Sequence, residues 1–141
     1  MQIQQLSIFV ENKSGRLAEI TRVLADADVD LRAVSIADTS DFGILRLIVD
    51  KPLEAVAALK AAKMTVSLTN VIAIGIEDKP GSFADAMAVL AQNGIGVEYM
   101  YAYISRDKGQ ANVILRVDND KKAAECLSAA GVTILEAQDL K

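Results

Sequence analysis

The sequence predicts an α+β fold made of two ferredoxin-like βαββαβ units in tandem, each an antiparallel sheet with its helices on one face. A repeat is the first observation behind this prediction, because Glu11–Leu17 recurs as Glu77–Phe83 after 66 residues. Farther along the chain the offset becomes 68, and Val49-Asp50 corresponds to Val117-Asp118. The second observation is that both copies show the same order of extended and helical patterns, which right-handed crossovers fold into this topology.

The repeat also predicts the domain organisation. We expect a first domain over residues 1–69 and a second over residues 70–141. A unit of this length buries only about 60% of the surface that its unfolded chain exposes, so each half would be marginally stable by itself. The hydrophobic fraction of 52% allows the two halves, or two chains, to share an apolar interface.

Each copy opens with a short apolar run that is rich in β-branched residues and predicts a buried strand, Leu6–Val10 in the first copy and Val71–Ile76 in the second. A helix follows in each copy, because the apolar residues from Leu17 and from Phe83 onward fit one stripe of a helix. These stripes are predicted to face the core.

Two extended runs across a polar turn come next in each copy and predict a β-hairpin. The turn at Ser105–Gly109 is longer than its counterpart at Asp38–Asp41, which accounts for the change of offset by two residues. The predicted strands are residues 31–37 and 42–49 in the first copy and residues 97–104 and 111–117 in the second.

A second helix and a closing strand complete each copy. The helix at Pro52–Ala62 has proline at an early position, and the helix at Asn119–Ala130 has asparagine as a candidate N-cap. The closing strands are predicted at Thr65–Leu68 and Thr133–Leu135. Only Thr69-Asn70 then separates the last strand of the first unit from the first strand of the second.

The composition excludes several classes of protein. The net charge of −4 and the pI near 4.8 oppose nucleic-acid binding, which depends on Lys and Arg. The chain contains no histidine, which excludes Ser-His and Cys-His catalysis and makes a transition-metal site improbable. Cys126 is the only cysteine and falls at an apolar helix position, which predicts a core residue and no disulfide. We predict no metal site and no cofactor.

Nothing in the sequence predicts a membrane protein. No apolar run reaches the roughly 20 residues of a membrane-spanning helix. The N-terminus has no basic region followed by an apolar core, as a secretory signal would have. We therefore expect a cytoplasmic protein that does not bind a membrane.

The turns that join the first strand to the first helix are the candidate sites. In both copies the chain passes from an acidic residue through a short polar turn and enters the helix at Ser14-Gly15 or Pro80-Gly81. The first N–H groups of a helix lack intrahelical partners and attract anions, and glycine allows a close approach to the main chain. A carboxylate fits better than a triphosphate because no P-loop pattern is present. In the alternative, Asn12 or Ser14 and Asp78 only cap the helices.

These turns carry a resemblance to a known family. The sequence resembles a tandem ACT-domain protein over about residues 6–135, because the family's Asp/Asn-x-Pro-Gly-x-Leu turn is matched by Asn12–Leu17 and Asp78–Phe83. The Ile-x-Ile/Val pattern after the first helix is matched by Val29-Asp30-Leu31 and Ile95-Gly96-Val97. The resemblance implies βαββαβ modules that pair side by side and bind amino acids or related small molecules at the paired interface.

The resemblance also implies where a ligand would lie. The backbone around Gly15 or Gly81 would receive the ligand carboxylate, and the first hairpin strand of the partner unit would supply the opposing wall. Ser14 stands where the family has proline and Phe83 where it has leucine, so we expect unequal sites, with Phe83 narrowing the second one. The implied ligand-binding residues are Asn12, Ser14, Gly15, Arg16, Leu17, Ser35, Ile36, Ala37, Asp78, Pro80, Gly81, Ser82, Phe83, Met100 and Tyr101.

Together these observations predict a non-enzymatic regulatory protein that senses an amino acid, forms a homodimer and acts on a separate enzyme, since the chain leaves no room for an effector domain. Two alternatives stay open. In the first, the doubled sheet is a protein-interaction scaffold and the glycine turns are structural. In the second, the chain is an acylphosphatase-like hydrolase that uses Arg16, although its first loop lacks a glycine-rich phosphate cradle.

Overall fold

The computed structural model describes residues 3–38, 41–105 and 107–140, and these form two compact units, Gln4–Thr69 and Asn70–Leu140. The repeat in the sequence is therefore a repeat in structure. None of the helices in the described ranges is long and apolar enough to cross a membrane.

The first unit contains a four-stranded sheet in the order β2-β3-β1-β4, with two helices. Strands β1 and β2 both pair antiparallel with β3. Its elements are β1 (Ile3–Glu11), α1 (Arg16–Asp26), β2 (Leu31–Asp38), β3 (Phe42–Val49), α2 (Pro52–Ala61) and the beginning of β4 (Val66–Glu77).

The core of the first unit lies between the helices and one face of this sheet. Alternate residues of β1 point into it, and the register places Leu6 opposite Leu47 and Ile8 opposite Leu45. Helix α1 contributes its buried stripe to the same cluster. Burial of such side chains is the main stabilising term of a unit this small.

The second unit repeats this arrangement with strand order β5-β6-β4, and β7 pairs with the other side of β4. All of these pairs are antiparallel, and the core again lies between the helices and one sheet face. The remaining elements are α3 (Ser82–Gln92), β5 (Val97–Ile104), β6 (Gln110–Val117), α4 (Asp120–Ala129), β7 (Thr133–Leu135) and a short 3-10 helix, η1 (Ala137–Leu140).

The predicted fold class is confirmed, and the element boundaries agree with the prediction to within about a residue at most ends. Strands β2 and β3 are separated by residues 39–41, whereas β5 and β6 are separated by residues 105–109, so the two extra residues lie in the second hairpin turn. Asn119 is the N-cap of α4 and accepts a hydrogen bond from the N–H of Lys122 at 3.1 Å.

The boundary at Thr69-Asn70 differs from the prediction of two strands with a connection between them. Residues 66–77 form one uninterrupted strand, β4. The Thr69 hydroxyl hydrogen-bonds with the Ser7 hydroxyl at 3.0 Å, and the carbonyl of Asn70 accepts from Arg116 at 2.7 Å. Because neither residue is glycine or proline and both have partners, the polar dipeptide does not break the strand.

Candidate functional site

The first glycine turn, residues 11–16, is fixed by backbone hydrogen bonds between the end of β1 and the start of α1. The N–H of Lys13 donates to the carbonyl of Glu11 at 2.8 Å, and the N–H of Arg16 donates to the carbonyl of Lys13 at 3.3 Å. The N–H of Asn12 donates to the carbonyl of Asp41 at 2.9 Å, which attaches the turn to the β2–β3 hairpin.

The second glycine turn, residues 77–82, repeats these bonds. The N–H of Lys79 donates to the carbonyl of Glu77 at 3.0 Å, and the N–H of Ser82 donates to the carbonyl of Lys79 at 3.3 Å. The N–H of Asp78 donates to the carbonyl of Gly109 at 2.8 Å. The two turns therefore share one backbone geometry.

A left-handed glycine is the N-cap of the helix in both turns. Gly15 has φ of 89° and Gly81 has φ of 94°, a region that other residues enter only with strain. Within the described residues, neither α1 nor α3 has a side-chain cap hydrogen bond, unlike α4. The first N–H groups of both helices therefore keep the anion-receptive character expected of an uncapped N-terminus.

The first turn is surrounded by equal numbers of positively and negatively charged side chains. Glu11 lies 3.0 Å from Lys13 and 3.7 Å from Arg16, and Arg16 also lies 3.1 Å from Glu19. The hydrogen bond and charge of Lys13, followed by the charge of Arg16, lower the pKa of the Glu11 carboxyl. Two cations and two carboxylates thus form one connected network at the start of α1.

The second turn is more acidic. Lys79 pairs with Glu77 at 2.9 Å, and the hydrogen bond and charge of Glu77 raise the pKa of Lys79. Ser82 occupies the position of Arg16, so no second cation reaches this turn from the helix. Asp78 replaces the neutral Asn12, and Asp85 adds another negative charge. An anionic ligand would meet net negative charge here and balanced charge at the first turn.

A small depression of about 70 Å³, the first-turn pocket, lies beside the first glycine turn and within the first unit. Helix α1 supplies one wall, and β2 and β3 supply the other. Ile36, Arg16 and Leu17 all line it. The lining residues are Val10, Glu11, Asn12, Lys13, Arg16, Leu17, Ile36 and Gly43.

The first-turn pocket unites four of the predicted ligand residues, Asn12, Arg16, Leu17 and Ile36, and all four come from one unit. Side chains alternate between the two faces of a strand, which explains why the neighbours of Ile36 do not line the pocket. Ile36 pairs with the core residue Leu45, so Ser35 and Ala37 point to the other face of the sheet. Ser14 and Gly15 are exposed in the turn next to the pocket.

The second depression is wider and more open, with about 470 Å³ of space between Asp78 and the β5–β6 hairpin. Ala102 and Ala111 line it at the positions that Ile36 and Gly43 occupy in the first unit. The remaining lining residues are Tyr103, Ser105, Asp107, Lys108, Gly109 and Gln110.

Most of the predicted residues of the second site do not line this depression. Phe83 packs against the second core and does not line this depression. Ser82 is half-buried, Pro80 and Gly81 are exposed in the turn, and Tyr101 is buried. Met100 stands on the opposite sheet face from Tyr101 and is 38% exposed.

Four residues of the first-turn pocket were not among the predicted ligand residues, namely Val10, Glu11, Lys13 and Gly43. The sequence held a signal for the two charged ones, which stand beside Asn12 in the repeated turn. The position of Gly43 in the pocket follows from the sheet register, which places it opposite Val10 and which local sequence patterns do not give. A Cβ on Gly43 would lie 3.5 Å from the Ile36 side chain, so glycine keeps this wall open.

The described residues contain no group of three or more His, Cys, Asp or Glu side chains that could hold a metal ion. Cys126 packs at the edge of the second core, and its thiol lies 3.5 Å from the carbonyl of Ala123.

Known proteins match this chain over essentially its whole length. A family model described as an ACT domain pair matches residues 1–141. The crystal structure of protein BT0572 from Bacteroides thetaiotaomicron is 44% identical in sequence and superposes with a TM-score of 0.94, over 99% of this chain and 96% of that one. No match was found among the curated proteins.

More distant structures share the fold. The ligand-free regulatory subunit of aspartate kinase from Thermus thermophilus has a TM-score of 0.65 at 16% identity, over 90% of this chain and 91% of that one. The corresponding subunit from Thermus flavus has a TM-score of 0.64 at 15% identity, over 91% of this chain and 92% of that one.

Proposed function

This chain belongs to the family of ACT domain pairs, and on that premise we propose that it is a non-enzymatic regulatory protein that binds a free amino acid in the first-turn pocket. The resemblance found in the sequence is confirmed at the level of the family. The single observation that carries the proposal is the coincidence of an uncapped helix N-terminus, a balanced charge network and an apolar wall in the first-turn pocket.

The chemistry of the first-turn pocket suits a zwitterion. The ligand carboxylate would accept from the first N–H groups of α1 and from Arg16, while the ammonium would lie near the carboxylate of Glu11. Hydrogen bonds to charged groups contribute about 1.5–3 kcal/mol each, so two of them with modest apolar burial support binding between millimolar and micromolar. Val10, Leu17 and Ile36 offer apolar contact to the ligand side chain.

Binding at the second turn is expected to be weaker. Its surroundings are acidic, its depression is open, and Ser82 cannot supply the charge that Arg16 supplies. The residues predicted there, Asp78, Pro80, Gly81, Ser82 and Phe83, together with Met100 and Tyr101, remain a proposal. They would complete a second site only with a partner unit against them.

The regulatory part of the proposal rests on the family and on what its relatives are called. Two structural neighbours are regulatory subunits of aspartate kinase. We propose that this chain acts as a homodimer on a separate enzyme, in the cytoplasm, with the amino acid as its signal. A ligand can shift such an assembly only by its difference in affinity for the two arrangements.

The hydrolase alternative has less support. Glu11 and Glu19 flank Arg16 and would repel a phosphate dianion, whereas the ammonium group of an amino acid offsets this repulsion. The scaffold alternative differs from the proposal in one measurable way, because a scaffold has no small-molecule ligand.

Thermal unfolding of the full chain with each of the twenty amino acids at millimolar concentration tests the proposal. A selective rise in melting temperature that grows with ligand concentration is expected, since binding stabilises by RT ln(1 + [L]/Kd). The amide and the N-acetyl derivative of the best ligand serve as controls, because each removes one of the two charges. The scaffold alternative predicts no selective shift with any amino acid.

A further inference from the structure

The C-terminal end of α3 leads into the only asparagine of the chain that a glycine follows, Asn93-Gly94. A side chain on the following residue hinders the approach of its backbone nitrogen to the asparagine amide, and glycine has no Cβ to do so. Asn93-Gly94 is therefore the pair at which the main chain reacts most readily with an asparagine side chain. The remaining asparagines precede larger residues and are Asn12, Asn70, Asn112 and Asn119.

The four α-helices of the described ranges end in the same way, with a C-cap residue and then a residue of positive φ. The C-cap is alanine in α1, α2 and α4, and it is Asn93 in α3. The same helix end is thus built three times without a side-chain amide, so the fold does not require asparagine here. The residues of positive φ are Asp28, Lys63, Gly94 and Gly131.

Two hydrogen bonds hold the groups that would react. The Nδ2 amide of Asn93 donates to the carbonyl of Val89 at 2.8 Å, and the N–H of Gly94 donates to the carbonyl of Ala91 at 3.1 Å. The Gly94 nitrogen must lose its proton before it can attack a carbon, so its hydrogen bond protects it. Ring closure also requires this nitrogen to lie beside the Asn93 Cβ, whereas a ψ of 9° places it beside the Asn93 nitrogen. The folded helix end therefore blocks the reaction.

We propose that Asn93 is a site of spontaneous modification, at which the chain deamidates itself when the last turn of α3 opens. The Gly94 nitrogen, after its proton passes to solvent, bonds to Cγ of Asn93. The Cγ–Nδ2 bond breaks, and Nδ2 takes up a proton and leaves as ammonia, so that a succinimide ring remains. Water then opens the ring. Attack at Cγ gives aspartate, and attack at the backbone carbonyl carbon gives isoaspartate, in which the main chain runs through the side chain.

The rate of this modification is set by local opening of the helix end. Helix ends open at a lower free energy than the whole domain, because few contacts hold them. Gly94 is exposed and Asn93 is half-buried, so the solvent that removes the proton and supplies the water already reaches the pair. The fraction of time for which both hydrogen bonds are broken then controls how fast Asn93 is lost.

Either product should loosen the connection between α3 and β5. Aspartate lacks the Nδ2 donor to the carbonyl of Val89, and its negative charge at a helix C-terminus is unfavourable. Isoaspartate lengthens the backbone just before Ile95, which is buried in the second core and whose N–H donates to the carbonyl of Leu90 at 3.0 Å. All of these contacts lie within the second unit, and the inference does not depend on the proposed function.

Incubation of the full chain in mildly alkaline buffer, with and without urea, tests the inference. Peptide mapping by mass spectrometry detects the replacement of the amide NH2 by OH, and chromatography separates the aspartate and isoaspartate peptides. We expect both products at Asn93, and we expect this asparagine to react faster than the others in urea. The folded chain should react at least roughly tenfold more slowly than the unfolded one, because both hydrogen bonds must break first.

A pair of matched variants tests whether the end of α3 controls the rate. Ala91→Gly replaces an exposed helical residue next to the site, and glycine should open the last turn and accelerate the loss of Asn93 by roughly four- to fivefold. Ala25→Gly makes the same change at the corresponding exposed position of α1 and should leave the rate at Asn93 unaltered. Circular dichroism verifies that both variants are folded.

Three outcomes would overturn the inference. If Asn93 survives in urea, or reacts more slowly there than another asparagine, it is not the modification site. Equal rates in the folded and the unfolded chain would show that the two hydrogen bonds give no protection. Equal acceleration in Ala91→Gly and Ala25→Gly would show that the opening of α3 does not control the reaction.

Discussion

The two glycine turns have the same backbone and different chemistry. Their hydrogen bonds agree within 0.2 Å, and both glycines lie in the left-handed region. The side chains around this common frame differ at several corresponding positions, among them Asn12 and Asp78, Ser14 and Pro80, Arg16 and Ser82, Leu17 and Phe83, Ile36 and Ala102, and Gly43 and Ala111.

This difference separates what the fold requires from what a ligand would require. A strand that ends beside a hairpin and turns into a helix needs the left-handed glycine whether or not anything binds. The glycine turn therefore indicates the fold, and the side chains around it decide whether a site exists. At the first turn they leave a small pocket with balanced charge, and at the second an open, acidic surface.

The largest effect on amino-acid affinity should come from exchanging the first side chains of α1 and α3, Arg16 and Ser82. Arg16→Ser should weaken amino-acid binding by roughly 10- to 100-fold, because a hydrogen bond with a charged partner contributes about 1.5–3 kcal/mol. The matched change Ser82→Arg should leave the affinity of the first site unaltered. Calorimetric titration measures the amino-acid affinity of each variant. Equal losses of affinity in the two variants would contradict the proposed difference between the turns.

Alanine at the two turn glycines should affect both turns alike. Gly15→Ala and Gly81→Ala should each reduce the free energy of unfolding by about 1–2 kcal/mol, since the left-handed conformation disfavours a Cβ and no atom lies within 4 Å to add a clash. Urea denaturation measures the loss. A much larger loss at Gly15 alone would show that the turns are not equivalent in the fold.

The wall of the first-turn pocket should respond to a single methyl group. Gly43→Ala places a Cβ 3.4 Å from the carbonyl of Ala37 and against Ile36, which should reduce ligand affinity several-fold without altering the fold. Ala111→Gly, the reverse change at the corresponding position, should have no effect on that affinity. Thermal shifts at a series of ligand concentrations separate the two variants.

The smallest effect is the pH dependence of stability. The first turn should lose stability in acid, and the second turn should lose stability in alkali. The pKa of Glu11 is lowered from 4.5, so its stabilising contribution is complete above 4.5 and is lost as pH falls through the folded-state value. The pKa of Lys79 is raised from 10.5, so its contribution is complete below 10.5 and is lost as pH rises through the folded-state value.

Carboxyl NMR titration of Glu11 should therefore give a midpoint below 4.5. Glu11→Gln should reduce the dependence of the melting temperature on acid, and Lys79→Gln should reduce its dependence on alkali. Both changes should be small because these side chains are solvent-exposed. A Glu11 midpoint at or above 4.5 would be incompatible with the ion pairs at the first turn.

Local patterns predicted most of the fold. The helical stripes, the hairpins, the longer second turn and the Asn119 cap all depend on residues close together in the sequence. Two polar residues after a short strand predict a connection at Thr69-Asn70. Their partners, Ser7 and Arg116, are far away in the chain, so the continuity of β4 was not visible locally.

The site was predicted less completely because its walls depend on register and on side-chain direction. Gly43 faces the pocket only because β3 pairs with β1 so that Val10 lies opposite it. Phe83 packs into the core because of the rotation of α3, which the spacing of apolar residues alone does not fix. The apolar run Leu6–Val10 predicts a buried strand, yet Phe9 is 51% exposed on the sheet face away from the helices.

The number of amino-acid molecules bound per chain shows whether the first turn alone, or both turns, form a binding site. Isothermal titration of the best ligand into the wild type, Gly15→Val and Gly81→Val compares the two turns under matched backbone strain, provided that circular dichroism shows both variants folded. We expect one strong site per chain, lost in Gly15→Val and retained in Gly81→Val. Two equal sites, or loss of the strong site in Gly81→Val alone, would contradict it.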